Sequence, residues 1–387
     1  MDTDDTVADQ TNEAMASDSV PVRSLKRKHA LLDNLTLAAV AKEGRWDDVL
    51  AMIESASMDT VDLDAVSELG RTALWLAANN NGHTAAVEAL LQAGADANKV
   101  DDDGDAPLSV AASAAIATML IERGAVVNAT NKLGETALWR AVKEGRADVV
   151  QALLKAGADV SKADVNGCAP LRVTPSATIA KMLIERGADV NAANRFGGTA
   201  LWRAADVGRA DVVEALLQAG ADVSKASYQG NAPLSKSATA TIAMMLIERG
   251  ASVDATNKLG QNALLFAAYD GRTEVVEVLL QAGADANKAD DDGLAPLSVA
   301  ASARIATMLI ERGANVNATN KLGQTALLIA GRKGRAGVVK ALVQAGADVN
   351  KADMGGQFPL TVAADERHWS CVTLLARDRI GMRTWTR

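Results

Sequence analysis

The sequence predicts an all-α fold: an α-solenoid of stacked helix pairs with β-hairpin fingers between them. Three observations carry this. Five of the seven prolines stand at positions 107, 170, 233, 296 and 359, in steps of 63. Glycines split that period: Gly104, Gly134, Gly167, Gly197, Gly230, Gly260, Gly293, Gly323 and Gly356 alternate at 30 and 33 residues. The 387 residues hold only 6 Trp, 2 Tyr and 3 Phe, although 49% of the chain is apolar. Aromatic rings usually supply much of a globular core, so this chain must bury its surface through many small Ala, Leu and Val contacts. A recurring unit of this length buries its apolar face on its neighbours instead of closing a core of its own.

Taken in order, residues 1–34 are expected to form a disordered arm. Met1 to Asp18 carries six acids, no base and no apolar run, unlike a secretory signal. Arg23, Lys26, Arg27 and Lys28 follow; they read as a solvated face, with a nuclear address or phosphate contact as the rival reading. Residues 35–375 form the array. Its first unit carries Lys42, Glu43, Arg45, Asp47 and Asp48, and its last carries Asp365, Glu366 and Arg367. Those polar faces suit the two ends of a stack. Residues 376–387 read as a short basic tail.

The long unit opens at Gly134. Thr136 can cap a helix with its hydroxyl, and Leu138, Ala141 and Val142 recur at helical spacing. Gly145 ends that helix. Val149, Val150, Leu153 and Leu154 make the stripe of a second, which Gly157 can close in the left-handed conformation. An extended hairpin then runs to Gly167. The short unit opens with Pro170 at a first helical position, where a missing N–H costs nothing. It lacks three residues between the helices, about one turn. Pro175 stands where sister units have Ala112 and Ala301. A proline inside the first helix would fray it near residues 172–178 and bend the rod there.

Helix pairs opened by Thr136-Ala-Leu-Trp-Arg-Ala141 or Ala106-Pro-Leu-Ser-Val-Ala111 resemble the ankyrin repeat, whose signature is Thr-Pro-Leu-His-x-Ala with a 33-residue period. The resemblance covers about eleven units. It implies a rod on the order of 100 Å long, at about 8–10 Å per layer. The family's His is replaced by Trp75, Trp139, Trp202, Leu265 and Leu328 in long units and by Ser109, Arg172, Ser235 and Ser298 in short ones. The hydrogen bonds that this His makes between family repeats are therefore expected to give way to stacked apolar contacts.

Catalysis needs unique residues converging on one cavity, and this chain offers near-copies. Residues 106–125 and 295–314 differ only at Ala115 versus Arg304. His29, His83 and His368 are scattered, and no phosphate loop, paired-cysteine ligand set or nucleophile motif occurs. No catalytic residue, metal site or cofactor is expected. Cys168 and Cys371 read as inert thiols of a reducing, intracellular setting, cytoplasmic in preference to nuclear. The longest uncharged stretch, residues 106–121, is short for a membrane span. A net charge of −8 with few aromatics disfavours nucleic acid.

Three features are candidates for contacting a protein partner. Trp75, Trp139 and Trp202 either stack as core or form an exposed ladder of anchors. At the hairpin tips Asp102, Lys132, Arg195, Tyr228, Lys258, Asp291 and Lys321 give a nearly alternating charge pattern. It is either a solvated edge with weak attraction between fingers or a stripe that sets partner register. At the end of the first helix Asn79, Asn80, Arg140, Lys143, Glu144, Arg203, Asp206, Phe266, Tyr269, Asp270, Arg332 and Lys333 vary while the frame holds still. In the family this chain resembles, that concave face and the tips carry the partner contacts. The expected function is a monomeric protein–protein interaction scaffold or adaptor without catalysis. The rival is a structural spacer that holds its two tails apart.

Overall fold

The structure, a computed structural model, describes residues 36–55 and 61–379. The expected arm therefore lies outside the described residues. Part of the expected tail does not: the last helix, Trp369–Arg379, runs past residue 375. Nothing between Leu375 and Arg379 breaks a helix, and the next glycine is Gly381.

Antiparallel helix pairs follow one another from Leu37–Lys42 with Trp46–Ser55 to Pro359–Asp365 with Trp369–Arg379. In the long unit Ala137–Lys143 is followed by Ala147–Lys155; in the short unit Pro170–Val173 is followed by Ala177–Glu185. Both pairs are joined by three residues. The missing turn was thus lost from the end of the first helix, not from the connection: the first helix has 7 residues in one and 4 in the other. Hydroxyls of Thr72, Thr136, Thr199 and Thr325 accept the N–H of Trp75, Trp139, Trp202 and Leu328 at 3.1–3.2 Å. Asn262 does the same for Leu265 at 2.9 Å. These caps satisfy amides that have no partner inside the helix.

The apolar stripes of both helix rows meet in one continuous core. Leu138, Val142, Val150 and Leu153 of a long unit and Leu183 of the next are fully buried. Each such side chain contributes about 1.5–3 kcal/mol by leaving water.

A second device joins units through arginine. Arg146, Arg209, Arg272 and Arg335 stand in the link between the two helices of long units. Their guanidinium groups donate to the carbonyls of Ala111, Thr174, Ser237 and Ala300, at 2.6–2.8 Å. Those carbonyls lie just past the shortened helix of the preceding unit, where the lost turn left acceptors without a helical donor. Arg123, Arg186, Arg249 and Arg312 of short units donate to Leu91, Leu154, Leu217 and Leu280 at 2.5–2.7 Å, near the ends of the preceding second helices.

Tryptophan is a third tie, and it corrects the expectation of apolar stacking alone. The indole N–H of Trp75, Trp139 and Trp202 donates to the carbonyl of Asp105, Cys168 and Asn231 in the next finger, at 2.9–3.1 Å. Only the long units with Leu265 and Leu328 lack such a donor at that position.

Pro175 does not fray a helix. The residue before it, Thr174, is extended (ψ 133°), as are Ala111 (ψ 118°) and Ala300 (ψ 119°) in sister units. The position lies in the linker after a helix that has already ended. The proline removes one bond between units: Ala112, Ala238 and Ala301 donate their N–H to Ala78, Ala205 and Ala268 at 2.9–3.0 Å, and proline has none to give.

The fingers are turns, not β-hairpins. Among the described residues the only β pairing is the isolated bridges Thr130 with Thr136 and Thr319 with Thr325. An Asx side chain organises nearly every finger. The Oδ1 atom of Asp101, Asn131, Asp164, Asn194, Asn257, Asp290, Asn320 and Asp353 accepts amides two and four residues on, at 2.8–3.1 Å. Ser227 takes this place in one finger, and its buried hydroxyl has no partner there. Backbone groups then join finger to finger: Lys132 N–H to Asp103, Val165 to Leu133, Arg195 to Asn166 and Tyr228 to Phe196, at 2.9–3.0 Å.

Candidate functional site

The first helices and fingers line one face of the array. The alternation of long and short first helices gives that face its relief: each short helix lies between two that reach one turn further. Val110, Val173, Lys236 and Val299 end the four proline-led short helices that open the short units.

The fourth shows the effect as a cavity. There Pro296–Val299 lies between Ala263–Asp270 and Ala326–Arg332 and leaves a recess of about 600 Å³. Leu265, Phe266 and Tyr269 line one side, Ile329, Arg332 and Lys333 the other, with Val299 and Leu294 between them. The finger residues Asp290, Asp292, Asn320 and Lys321 border it. The volume falls within the range that ligand sites occupy, about 300–1,000 Å³.

The structure separates the candidate residues. Phe266, Tyr269, Arg332, Lys333 and Lys321 come together at this recess. Arg140, Lys143 and Glu144 belong to an upstream cluster: Arg140 pairs with Asp105, Lys143 lies 4.9 Å from the Trp139 ring, and Glu144 pairs with Arg146. Arg203 pairs with Asp206 at 3.3 Å and Asp270 with Arg272 at 2.7 Å. Asn79 and Asn80 are exposed after the helix Ala73–Ala78. The tip residues Asp102, Lys132, Arg195, Tyr228, Lys258, Asp291 and Lys321 are all exposed. No ion pair joins two of them among the described residues; Lys132 instead donates to the backbone carbonyl of Asp102.

Two tryptophans leave the candidate set. Trp75 and Trp139 are each only 4% exposed, because each ring is drawn under the next finger by its N–H bond. Trp202 is half-buried, with the Lys236 ammonium 5.7 Å from its ring. Sequence reasoning missed Leu294, Val299 and Ile329, which resemble ordinary core, and the exposed apolar residues at the tips. Leu133, Phe196, Leu259, Leu322 and Met354 are between 57% and 78% exposed. Their shared place one or two residues before a hairpin glycine was the available signal.

The charge at the recess is uneven. The Asp290 carboxylate is engaged by the amides of Asp292 and Leu294 at 3.0 and 2.8 Å. Arg332 lies 3.8 Å from Asp353 and donates to Gln357 at 3.0 Å. Neither Lys321 nor Lys333 enters an ion pair among the described residues. The Lys333 ammonium lies 5.4 Å from the Tyr269 ring. Burial, then the nearby positive charge of Arg335, holds its pKa below the ordinary 10.5. Nothing in this set pairs a nucleophile with a base. No three His, Cys, Asp or Glu among the described residues could hold a metal ion.

A family pattern described as ankyrin repeats in three copies matches residues 35–131, 74–164, 115–194, 234–320 and 303–384. The single ankyrin repeat matches residues 196–228. The chain belongs to the ankyrin repeat family. Repeats of this family generally mediate protein–protein interaction. An Escherichia coli ankyrin repeat protein, YahD, is 30% identical over 173 residues, which are 42% of this chain and 86% of that protein. The mouse B-cell lymphoma 3 protein homolog is 30% identical over 231 residues, 55% of this chain and 52% of the relative. The human transient receptor potential cation channel subfamily A member 1 is 26% identical over 321 residues, 76% of this chain and 28% of the channel. The ankyrin chain thus spans most of the bacterial relative but about half or less of the other two. No helix among the described residues is long and apolar enough to cross a membrane.

Proposed function

We propose that this ankyrin array is a protein-binding scaffold or adaptor that holds its partner along the concave groove and the finger tips, without catalysis. The observation that carries the reading is the contrast within each unit. The buried frame repeats, while the residues facing the groove change from Arg140 and Lys143 to Arg203 and Asp206 and then to Phe266 and Tyr269. A frame fixed by caps, arginine ties and indole bonds presents those side chains preformed, which spares ordering entropy on binding. The tips add apolar side chains at Leu133, Phe196 and Tyr228 beside Lys132 and Arg195. The reading takes the protein as monomeric, intracellular and cytoplasmic, with a protein partner and no nucleic acid. Its two buried free cysteines suit a reducing compartment. Arm, array and tail serve as separate parts in it.

The test is affinity capture from the source cell with three chains: the full chain, a chain carrying Lys143→Ala, Arg203→Ala and Tyr269→Ala, and a chain lacking residues 1–34. A groove scaffold loses its captured proteins in the triple variant and keeps them without the arm. The reverse pattern would establish the spacer reading.

A further inference from the structure

Four short units make the same kind of gap in the groove, and the 63-residue period lets their linings be compared position by position. The finger position that faces the gap is Asp105, Cys168, Asn231 and Leu294 in turn. The opposing position on the following long helix is Arg140, Arg203, Phe266 and Ile329. The end of the short helix is Val110, Val173, Lys236 and Val299.

In the first gap Arg140 crosses to pair with Asp105, so an ion pair occupies the space between the two positions. In the second, Arg172 donates to the Gly198 carbonyl at 3.1 Å and sits 3.5 Å from Cys168 Sγ, with Arg203 opposite. In the third, the Lys236 ammonium lies on the rings of Trp202 and Phe266, at 5.7 and 5.4 Å. Only the fourth is apolar at all three positions. It is also the one whose upstream side carries Phe266 and Tyr269 together. A charged group there would lose hydration without gaining a partner, whereas an apolar side chain would displace water from Phe266, Val299 and Ile329. The border is different. Lys321 and Lys333 stand at it without ion pairs among the described residues; of the two carboxylates there, half-buried Asp290 is already engaged by its own finger and Asp292 is exposed at the rim.

We propose that the recess over Val299 is a docking pocket for one aromatic or aliphatic anchor side chain, presented by an acidic segment of a partner protein whose flanking carboxylates meet Lys321 and Lys333. This rests on the groove reading above and narrows it to a place and a chemistry. The anchor supplies the buried contact and the carboxylates supply register, the division seen where a central apolar residue is ringed by polar contacts.

The probe is a random twelve-residue peptide library selected on the full-length chain, with selection in parallel on a Val299→Lys chain. That variant copies the residue that the third unit holds as Lys236, and circular dichroism with the melting temperature establishes that the substituted chain is folded before its binding is compared. The expected result is enrichment, on the unsubstituted chain only, of peptides with an aromatic or aliphatic residue within three positions of Asp or Glu. Binding of such a peptide should weaken at least about tenfold in Val299→Lys, the size of effect expected when a buried anchor site is lost. It should also weaken in Lys333→Met, with a shallower dependence on salt. No enrichment, enrichment without that pattern, or equal binding to Val299→Lys would overturn the proposal. A cellular partner that is lost in the triple groove variant yet held undiminished by Val299→Lys would leave the groove reading standing and remove the pocket alone.

Discussion

In the unit that opens at Thr136 the first helix runs to Lys143, and in the unit that opens at Ala169 it stops at Val173. The long helix covers its own carbonyl ends and carries the side chains that differ along the groove. The short helix exposes acceptors at its end and relies on Arg209 of the next unit to satisfy Thr174. The lesson is that a lost turn need not weaken a stack when the neighbour supplies the donor. What the deletion removes in helix, it returns as relief on the binding face.

Four experiments break or sharpen this comparison. The largest effect belongs to what the two kinds of unit share. Leu201→Ala in a long helix and Leu234→Ala in a short one both empty fully packed sites. Each should cost about 2–5 kcal/mol, read as faster amide exchange in the surrounding helices. A much smaller loss at Leu234 would show that the short units are loosely packed. Next is the donor that only short helices require. Arg209→Met leaves the Thr174 carbonyl unsatisfied, for about 1.5–3 kcal/mol as a bond to a charged group. Exchange should accelerate at residues 170–185, while the exposed Arg203→Met stays within about 0.5 kcal/mol. Third, Trp139→Phe keeps an aromatic ring but deletes both the donor to Cys168 and the five-membered ring of the indole, so it should cost at least about 1 kcal/mol in chemical denaturation. No change would return the tryptophans to the role of apolar filler.

The smallest effect concerns fingers of long units. A hydrogen bond from the Ser224 hydroxyl, then one from its amide, holds the Asp222 carboxyl below the ordinary 3.8, and Ser161 does the same for Asp159. A depressed carboxyl stabilises the fold fully above that ordinary value and ceases to do so as pH falls through the lowered one. Ser224→Ala should therefore raise the Asp222 pKa toward 3.8 in a carbon-detected titration, and lower stability slightly at neutral pH, a loss that shrinks to nothing as pH falls from 3.8 through the depressed value.

The array was legible because its determinants are local and repeated. Thr136, Pro170, Gly145 and the Val149–Leu153 stripe each act within a turn or two of helix, and the period of 63 multiplies every one of them. Pro175 shows the limit. Its position looked like helix interior because the long unit has helix there; only the tertiary alignment places it in a linker. The groove residues were legible as variable positions, yet the recess was not. It joins Leu294 and Val299 of one unit with Ile329 of the next, and each alone reads as core. The burial of Trp75 and Trp139 was likewise undecided in sequence, since the carbonyl that each indole finds lies about thirty residues on.

The arginine ties also set how such a chain can lengthen or shrink. Arg146, Arg209, Arg272 and Arg335 each serve the unit before their own, so a long unit completes the short one upstream of it. Excising one long unit would abut two short helices and leave the first with bare acceptors, because short units carry no arginine at that place. Growth by whole pairs keeps every acceptor served. A tandem duplication of 63 residues is thus structurally silent, whereas one of 30 or 33 leaves a seam.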